Sequence, residues 1–255
     1  MHVTDTHCHL YLSEFDADRT EVIKRAELEG VDKFYLPAID SLVTDTMLDM
    51  EKKFPGKCYA MMGLHPCSVK ENYEVELQKV EEWLGKRKFA AVGEIGLDFY
   101  WDKTFTRQQY IVFKKQIGLA IKYQLPVVIH SRDSIQECID VIKETDNNEL
   151  TGIFHCFGSG IEHAQQIIAL GFYLGIGGVV TYKNSGLADV IQQIPLDNIV
   201  LETDAPYLTP VPFRGKRNES SYLKYIVEKI AEAKKVRVEE VAEITTRNAQ
   251  KIFVH

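Results

Sequence analysis

No apolar run in this 255-residue chain approaches the ~18 residues that a membrane-spanning helix needs, so no membrane span is expected. The opening residues already carry a strand-like run and His7, which argues against a signal peptide and for the cytoplasm. Cysteine is scarce as well. The five present (Cys8, Cys58, Cys67, Cys138, Cys156) are odd in number and contain no Cys-x-x-Cys, which suits a reducing compartment better than a disulfide framework. Excess positive charge is missing too: 30 Lys and Arg stand against 37 Asp and Glu, a formal net charge of -7. That excludes a basic protein that coats nucleic acid, and any such contact must use a local cationic patch or a bound metal. There is no Pro/Gly/Ser-rich linker, low-complexity segment or composition shift, so residues 1–255 read as a single domain.

What is present is a repeating alternation. Apolar runs at His2–Thr6, Lys33–Ala38, Cys58–Met62, Phe89–Ile95, Pro126–Ile129, Gly152–Phe154, Phe172–Ile176 and Asn198–Thr203 read as strands. Between them lie helical patterns at Glu14–Glu29, Thr44–Phe54, Glu71–Arg87, Thr106–Tyr123, Glu162–Leu170 and Ser185–Ile194, with one from an Asp133 cap to Thr145. Two or three more helices fill Ser220 to Phe253. In the first helix Val22, Ile23, Ala26 and Leu28 fall at helical spacing, and Gly30 is a natural stop. Eight strands alternating with helices, at about the thirty-residue repeat of a βα unit, predict an α/β fold closed as a TIM (β/α)8 barrel. The strands are near-continuous apolar runs, as strands covered on both faces should be. An open doubly wound sheet is the alternative, weakened by the absence of Gly-x-Gly-x-x-Gly after the first strand.

The chemistry gathers at the strand ends. In extended chain His7 and His9 share one face while Cys8 points away, which makes half of a metal site. Later strands deliver Glu94, His130, His155 and Asp204 at equivalent positions. Any one of them alone could be a satisfied core residue. Six at matching ends could hold two divalent cations about 3.5–4 Å apart. The expected division is His7, His9 and Asp204 on one ion, His130 and His155 on the other, and Glu94 as the bridge between two mutually repelling dications. Asp5 and Glu202 lie one layer deeper, where they are expected to accept imidazole N–H bonds and fix the ligand tautomers. Cys8 and Cys156 should face outward into the core beneath the helices.

Asp5-Thr6-His7-Cys8-His9-Leu10, Gly63-Leu64-His65-Pro66, Val92-Gly93-Glu94-Ile95-Gly96-Leu97-Asp98, Pro126-Val127-Val128-Ile129-His130-Ser131-Arg132-Asp133, Phe154-His155-Cys156-Phe157, Leu201-Glu202-Thr203-Asp204-Ala205-Pro206-Tyr207-Leu208 and Arg214-Gly215-Lys216-Arg217-Asn218-Glu219 together resemble the TatD family of metal-dependent deoxyribonucleases. The resemblance runs the length of the chain. It implies a barrel of the metal-dependent hydrolase superfamily that hydrolyses phosphodiester bonds of DNA, with exonuclease activity and magnesium as the usual cation. It also implies metal positions at His7, His9, Glu94, His130, His155 and Asp204, and a catalytic-face histidine at His65. Three positions depart from the family pattern: Tyr11 where aspartate is frequent, Cys67 where histidine is frequent, and Ser220 where proline is frequent. None is an expected ligand, so they bear on substrate preference rather than on the reaction.

In that reading Asp204 takes the proton of the attacking water, and Glu94 and His65 complete the catalytic set. Arg132, Arg214 and Lys216 meet the phosphate charge. Phe99, Tyr100 and Trp101 either stack on a terminal base or pack beneath the next helix. The expected partner is DNA, single-stranded or at 3′ ends, with no membrane and no obligate protein partner. Magnesium or manganese would serve in activity. The nitrogen-rich donor set favours zinc or nickel as the ions carried through purification. Two other classes fit the same ligands: a hydrolase of small C–N, ester or lactone substrates, and a non-catalytic, metal-stabilised binding protein.

Overall fold

In this computed structural model, which describes residues 2–145 and 149–253, all eight expected runs become parallel strands. The remaining residues of the expected 1–255 domain lie outside the described ones. The strands are β1 (Val3–Asp5), β2 (Val31–Leu36), β3 (Cys58–Ala60), β4 (Val92–Asp98), β5 (Val127–Arg132), β6 (Gly152–Phe154), β7 (Tyr173–Ile176) and β8 (Ile199–Leu201). Seven helices follow successive strands: α1 (Arg19–Leu28), α2 (Thr44–Lys53), α3 (Tyr73–Lys86), α4 (Thr106–Tyr123), α5 (Ile135–Thr145), α6 (Ile161–Ala169) and α7 (Leu187–Gln193). After β8 come α8 (Leu223–Lys234) and α9 (Val238–Ile252). No helix among the described residues is long and apolar enough to cross a membrane.

Backbone ladders join β1–β2–β3 and β4 through β8, and two seams close the ring. At the first, Met62 bridges Val92, and the Gly93 N–H donates to the Met62 carbonyl at 3.0 Å. At the second, the Thr6 N–H donates to the Leu201 carbonyl at 2.9 Å and the Asp204 N–H to the His7 carbonyl at 2.9 Å. Closure removes both sheet edges, and the fold is a single (β/α)8 barrel. Inside it, Tyr35, Met61, Ala91, Val128, Ile153 and Val200 form one buried layer with Ile252 and Phe253. The end of α9 therefore plugs the barrel floor, with the Phe253 and Tyr35 rings stacked at 3.8 Å. Phe253→Ala should empty that plug. A loss of about 3–5 kcal/mol in urea unfolding is expected, the usual cost of removing a buried aromatic ring.

Sequence and structure part at a few boundaries. The helix expected from Glu14 begins only at Arg19. The reason is Arg19 itself, whose guanidinium donates to the carbonyls of Leu10, Tyr11 and Leu12 and holds that stretch in a turn, with Phe15 buried. Leu28 lies on the solvent side of α1, 87% exposed, so the buried stripe ends at Ala26. Asp133 takes a left-handed conformation (φ 53°), while the adjacent Ser134 hydroxyl donates to the Leu97 carbonyl, so neither residue matches the simple cap expected of Asp133. β4 runs on to Asp98 rather than ending at Ile95. Its pairing with β5 steps from Gly93↔Val128 to Ile95↔Ile129, which leaves Glu94 as an extra residue on its strand. Such a bulge re-aims a side chain, and here it turns Glu94 into the barrel mouth.

Candidate metal centre

Beyond the end of β1 the chain stays extended enough for His7 and His9 to converge. Their Nε2 atoms lie 3.3 Å apart, both rings buried. Two imidazole nitrogens that close need a proton or a cation to offset their lone-pair repulsion. Glu94 approaches with its oxygens divided. Oε2 lies 3.2 Å from His7 Nε2 and 3.7 Å from His9 Nε2. Oε1 lies 2.8 Å from His130 Nδ1, 2.9 Å from His155 Nε2 and 3.4 Å from His65 Nε2. Asp204, delivered just after β8, sets Oδ1 3.5 Å from His9 Nε2 and 3.6 Å from His7 Nε2.

Seven residues from six strands thus share one mouth. The donor atoms fall into three overlapping groups, His7–His155–Asp204, His7–His9–Glu94 and His65–Glu94–His130, each within 4.8 Å. The expected division changes in one respect. His155 shares Glu94 Oε1 with His130, yet its ring also stacks on His7 with centroids 3.8 Å apart. It belongs to both halves, and His65 joins His130.

Charge explains why so many titratable groups are tolerated in a buried place. Burial pushes the Glu94 carboxyl up, but the charges of His155, His65 and His7 and the His130 hydrogen bond outweigh it and hold it well below the usual carboxylate range. Asp204 is likewise held low: burial opposes, while the His9 hydrogen bond and the His155 and His7 charges prevail. Burial pushes His7 and His65 down toward the neutral ring. It opposes protonation of His130 and His155 too, but there the carboxylates win. Asp98 and Glu94 raise His130, and Glu94 and Glu202 raise His155. The carboxylates therefore draw positive charge to these two rings, and a cation would meet the same demand while releasing the protons.

The surrounding groups decide which nitrogen faces inward. The Tyr11 hydroxyl donates to the Pro37 carbonyl at 2.6 Å, so its oxygen is free to accept the His9 Nδ1–H at 2.9 Å. That leaves the His9 Nε2 lone pair aimed at the centre. Asp98 Oδ2 accepts from His130 Nε2 at 2.8 Å and turns Nδ1 inward. Neither is read as a support from the sequence: Tyr11 stands out there only as a departure from the family pattern bearing on substrate preference, whereas here it orients a candidate ligand, and strand alternation places it two residues past His9 and Asp98 four past Glu94. His65 differs. Its Nδ1 accepts the Cys67 N–H at 3.0 Å, so the neutral ring carries its proton on Nε2 and is a donor there rather than a lone-pair ligand.

Of the two carboxylates expected to accept imidazole N–H bonds, Glu202 comes close. Its Oε1 lies 3.3 Å from His155 Nδ1 outside hydrogen-bond geometry, and accepts the Cys156 N–H instead. Room for it comes from Gly175, where a Cβ would fall 2.2 Å from Glu202 Oε2. Asp5 does not touch an imidazole N–H. It accepts the Thr203 N–H at 3.0 Å and hydroxyl at 2.7 Å, and it tethers β1 to the residue before Asp204. Burial pushes its carboxyl up to about 7 despite those bonds. Cys8 is buried as expected. Cys156 is only part-buried, at a left-handed turn (φ 50°) on the rim.

The donor set fits divalent cations. Imidazole nitrogens and carboxylate oxygens converge with their lone pairs inward, and a carboxylate oxygen of Glu202 lies buried without a hydrogen-bond partner, a placement that calls for positive charge nearby. Tyr11→Phe tests the support given to His9. Cation affinity should fall about 10- to 100-fold with the fold intact, read by competition against a chromophoric chelator.

The basic side chains of β5 and of the loop after β8 sort into two kinds. Arg217 is engaged, donating to both oxygens of Asp18 and to the Glu14 carbonyl. Arg132, Arg214 and Lys216 are exposed and form no ion pair among the described residues. Arg132 lies over Tyr100 and Arg214 over Tyr182, each at 4.1 Å, and Lys216 lies over Phe213 at 5.6 Å. Phe99 packs against the core, whereas Tyr100 and Trp101 stand out in solvent.

A family model described as TatD related DNase matches residues 4–254. The chain belongs to the TatD family. A metal-dependent hydrolase of Bacillus subtilis is 41% identical over 250 residues, covering 98% of both chains. The TatD homologue YjjV of Escherichia coli, solved as a crystal structure, superposes with a TM-score of 0.93 at 31% identity, over 98% of this chain and 97% of that one. A TatD family hydrolase of Entamoeba histolytica shares the fold with a TM-score of 0.86 at 22% identity, over 100% and 98% of the two chains. This TatD protein is a metal-dependent hydrolase, and the convergence just described lies where such barrels place their active sites, at the C-terminal ends of the strands.

Proposed function

We propose that this TatD-family hydrolase cleaves phosphodiester bonds of DNA as an exonuclease in the cytoplasm, at a centre for two divalent cations. The observation that carries the reading is the division of Glu94, with one oxygen among His7 and His9 and the other among His130, His155 and His65. A carboxylate so placed is suited to bridge two cations and offset their repulsion. His7, His9 and Asp204 would hold one and His130 the other, with His155 on the boundary. When bound, the pair supplies Lewis acidity toward a phosphoryl oxygen and makes water acidic near neutral pH.

The chain's own groups do the rest. Asp204 stays a carboxylate, keeps a sixth of its side chain open to the mouth, and takes the proton of the attacking water. His65 offers its Nε2–H to the phosphate oxygen on which charge develops. Arg132, Arg214 and Lys216, unpaired around the rim, draw in a strand whose next phosphates lie outside the centre. DNA, single-stranded or at a 3′ end, is the substrate these features suit. Magnesium or manganese would support turnover, and zinc or nickel would be the ions retained through purification, given four inward imidazoles.

A digest of single-stranded DNA labelled at either end tests the reading. Mononucleotides should accumulate from one end only, on addition of divalent cation, and the rate should fall steeply as salt rises. Amide, ester and lactone substrates should remain intact in parallel reactions. Their hydrolysis, with the oligonucleotide untouched, would replace the nuclease reading with a small-molecule one.

A further inference from the structure

The geometry points to Tyr100 and Trp101, with Arg132 behind them, as a shelf on which the base next to the scissile phosphate stacks. This rests on the nuclease reading for its ligand. Two large aromatic rings rarely stand in water without a partner, and here Tyr100 is 52% and Trp101 67% exposed while their neighbour Phe99 packs inward. The rings meet edge to face, with centroids 4.9 Å apart and planes at 87°. The Arg132 guanidinium lies 4.1 Å from the Tyr100 centroid and 5.5 Å from that of Trp101, so it braces the rings from one side. No carboxylate pairs with it among the described residues, which leaves its N–H groups for a phosphate.

Position is what ties the shelf to the chemistry. The same Asp98 carboxylate that orients His130 through Oδ2 accepts the Tyr100 and Trp101 amides through Oδ1, both at 3.0 Å. Arg132 in turn pairs with Asp98 across the β4–β5 ladder, two residues past His130, and its carbonyl accepts the Phe99 N–H. One carboxylate therefore fixes the distance between the cation centre and the aromatic pair. A nucleotide whose phosphate enters the centre has its base held at that fixed distance. Stacking accepts any base, so the shelf would select for the presence of a base rather than its identity.

The test uses the cation-loaded protein and two short single-stranded thymidine oligonucleotides, identical except that one ends in an abasic residue. Phosphorothioate versions serve for binding by fluorescence anisotropy, and ordinary versions for cleavage. The intact end should bind about 5- to 100-fold more tightly than the abasic one. In Trp101→Ala the two should become indistinguishable, and Tyr100→Leu should lose part of the difference; both side chains are exposed, so the barrel should remain folded. Cleavage with no preference between the two ends overturns the shelf and leaves the nuclease standing. Preferential binding without any cleavage keeps the shelf and removes the nuclease reading. Neither binding nor cleavage removes both.

Discussion

Glu94→Gln should cost about 10²- to 10³-fold in turnover, the scale set by losing a group that stabilises charge in the transition state. Glutamine keeps the size of the side chain and one carbonyl oxygen, but it loses the negative charge and replaces an acceptor with an N–H₂ donor. Whichever way the amide turns, one half of the centre then faces a donor in place of an acceptor: either His7 and His9 at Oε2, or His130, His155 and His65 at Oε1. Cation content should fall from two per chain to one or none, measured by elemental analysis after gel filtration. The protonation of the site should change with it. Glu94 heads the groups that raise His155, so its neutralisation should shift that ring's titration downward in an NMR experiment. Full cation content with unimpaired turnover would remove Glu94 from the centre of the reading.

Asp204→Asn should separate proton transfer from binding. Asparagine can still offer a carbonyl oxygen to a cation, but it cannot take a proton from water. A fall of about 10²- to 10⁴-fold in kcat is expected, the usual worth of a positioned base, with KM much less affected. The sign of the pH effect follows from the depressed carboxyl. Burial pushes Asp204 up, and the His9 hydrogen bond with the His155 and His7 charges pulls it further down. The base form is therefore present at every pH above that lowered value, and the wild-type rate should fall only as pH drops through it, below the ordinary carboxylate range. The variant's residual rate should lack that acid limb. A variant that turns over like the wild type would dismiss Asp204 as the base, and one that loses a cation as well would show that its ligand role dominates.

How much of this was legible beforehand depended on whether a residue's partner lay on the same strand pattern. The barrel and the meeting of His7, His9, Glu94, His130, His155 and Asp204 followed from repetition, because each βα unit returns a strand end to the same mouth. Tyr11 and Asp98 were legible by the same alternation, but Tyr11 stood out only as a departure from the family pattern, and an aspartate at the end of a Gly-Leu-Asp run looks like a turn residue. The engagement of Arg217 was not legible. Its partner Asp18 lies on the approach to α1, 199 residues away in sequence, and nothing local distinguishes Arg217 from the free Arg214 and Lys216. Asp5 misled because alternation gives the direction of a side chain and not the atom it reaches: with Thr203 beside it, the carboxylate took the nearer donors. The start of α1 was missed for a tertiary reason, the three carbonyls that Arg19 gathers.

The seam between β1 and β8 fixes an order of events during synthesis. His7 and His9 leave the ribosome nearly two hundred residues ahead of the backbone that clasps them (Leu201, Asp204, Ala205). Nascent chains that end between His155 and residue 201 carry five of the six proposed cation ligands in an unclosed sheet and lack the strand that brings them into register. Cation uptake would then wait for Asp204, and fragments left by interrupted translation or proteolysis ahead of that residue would have no means of loading the centre.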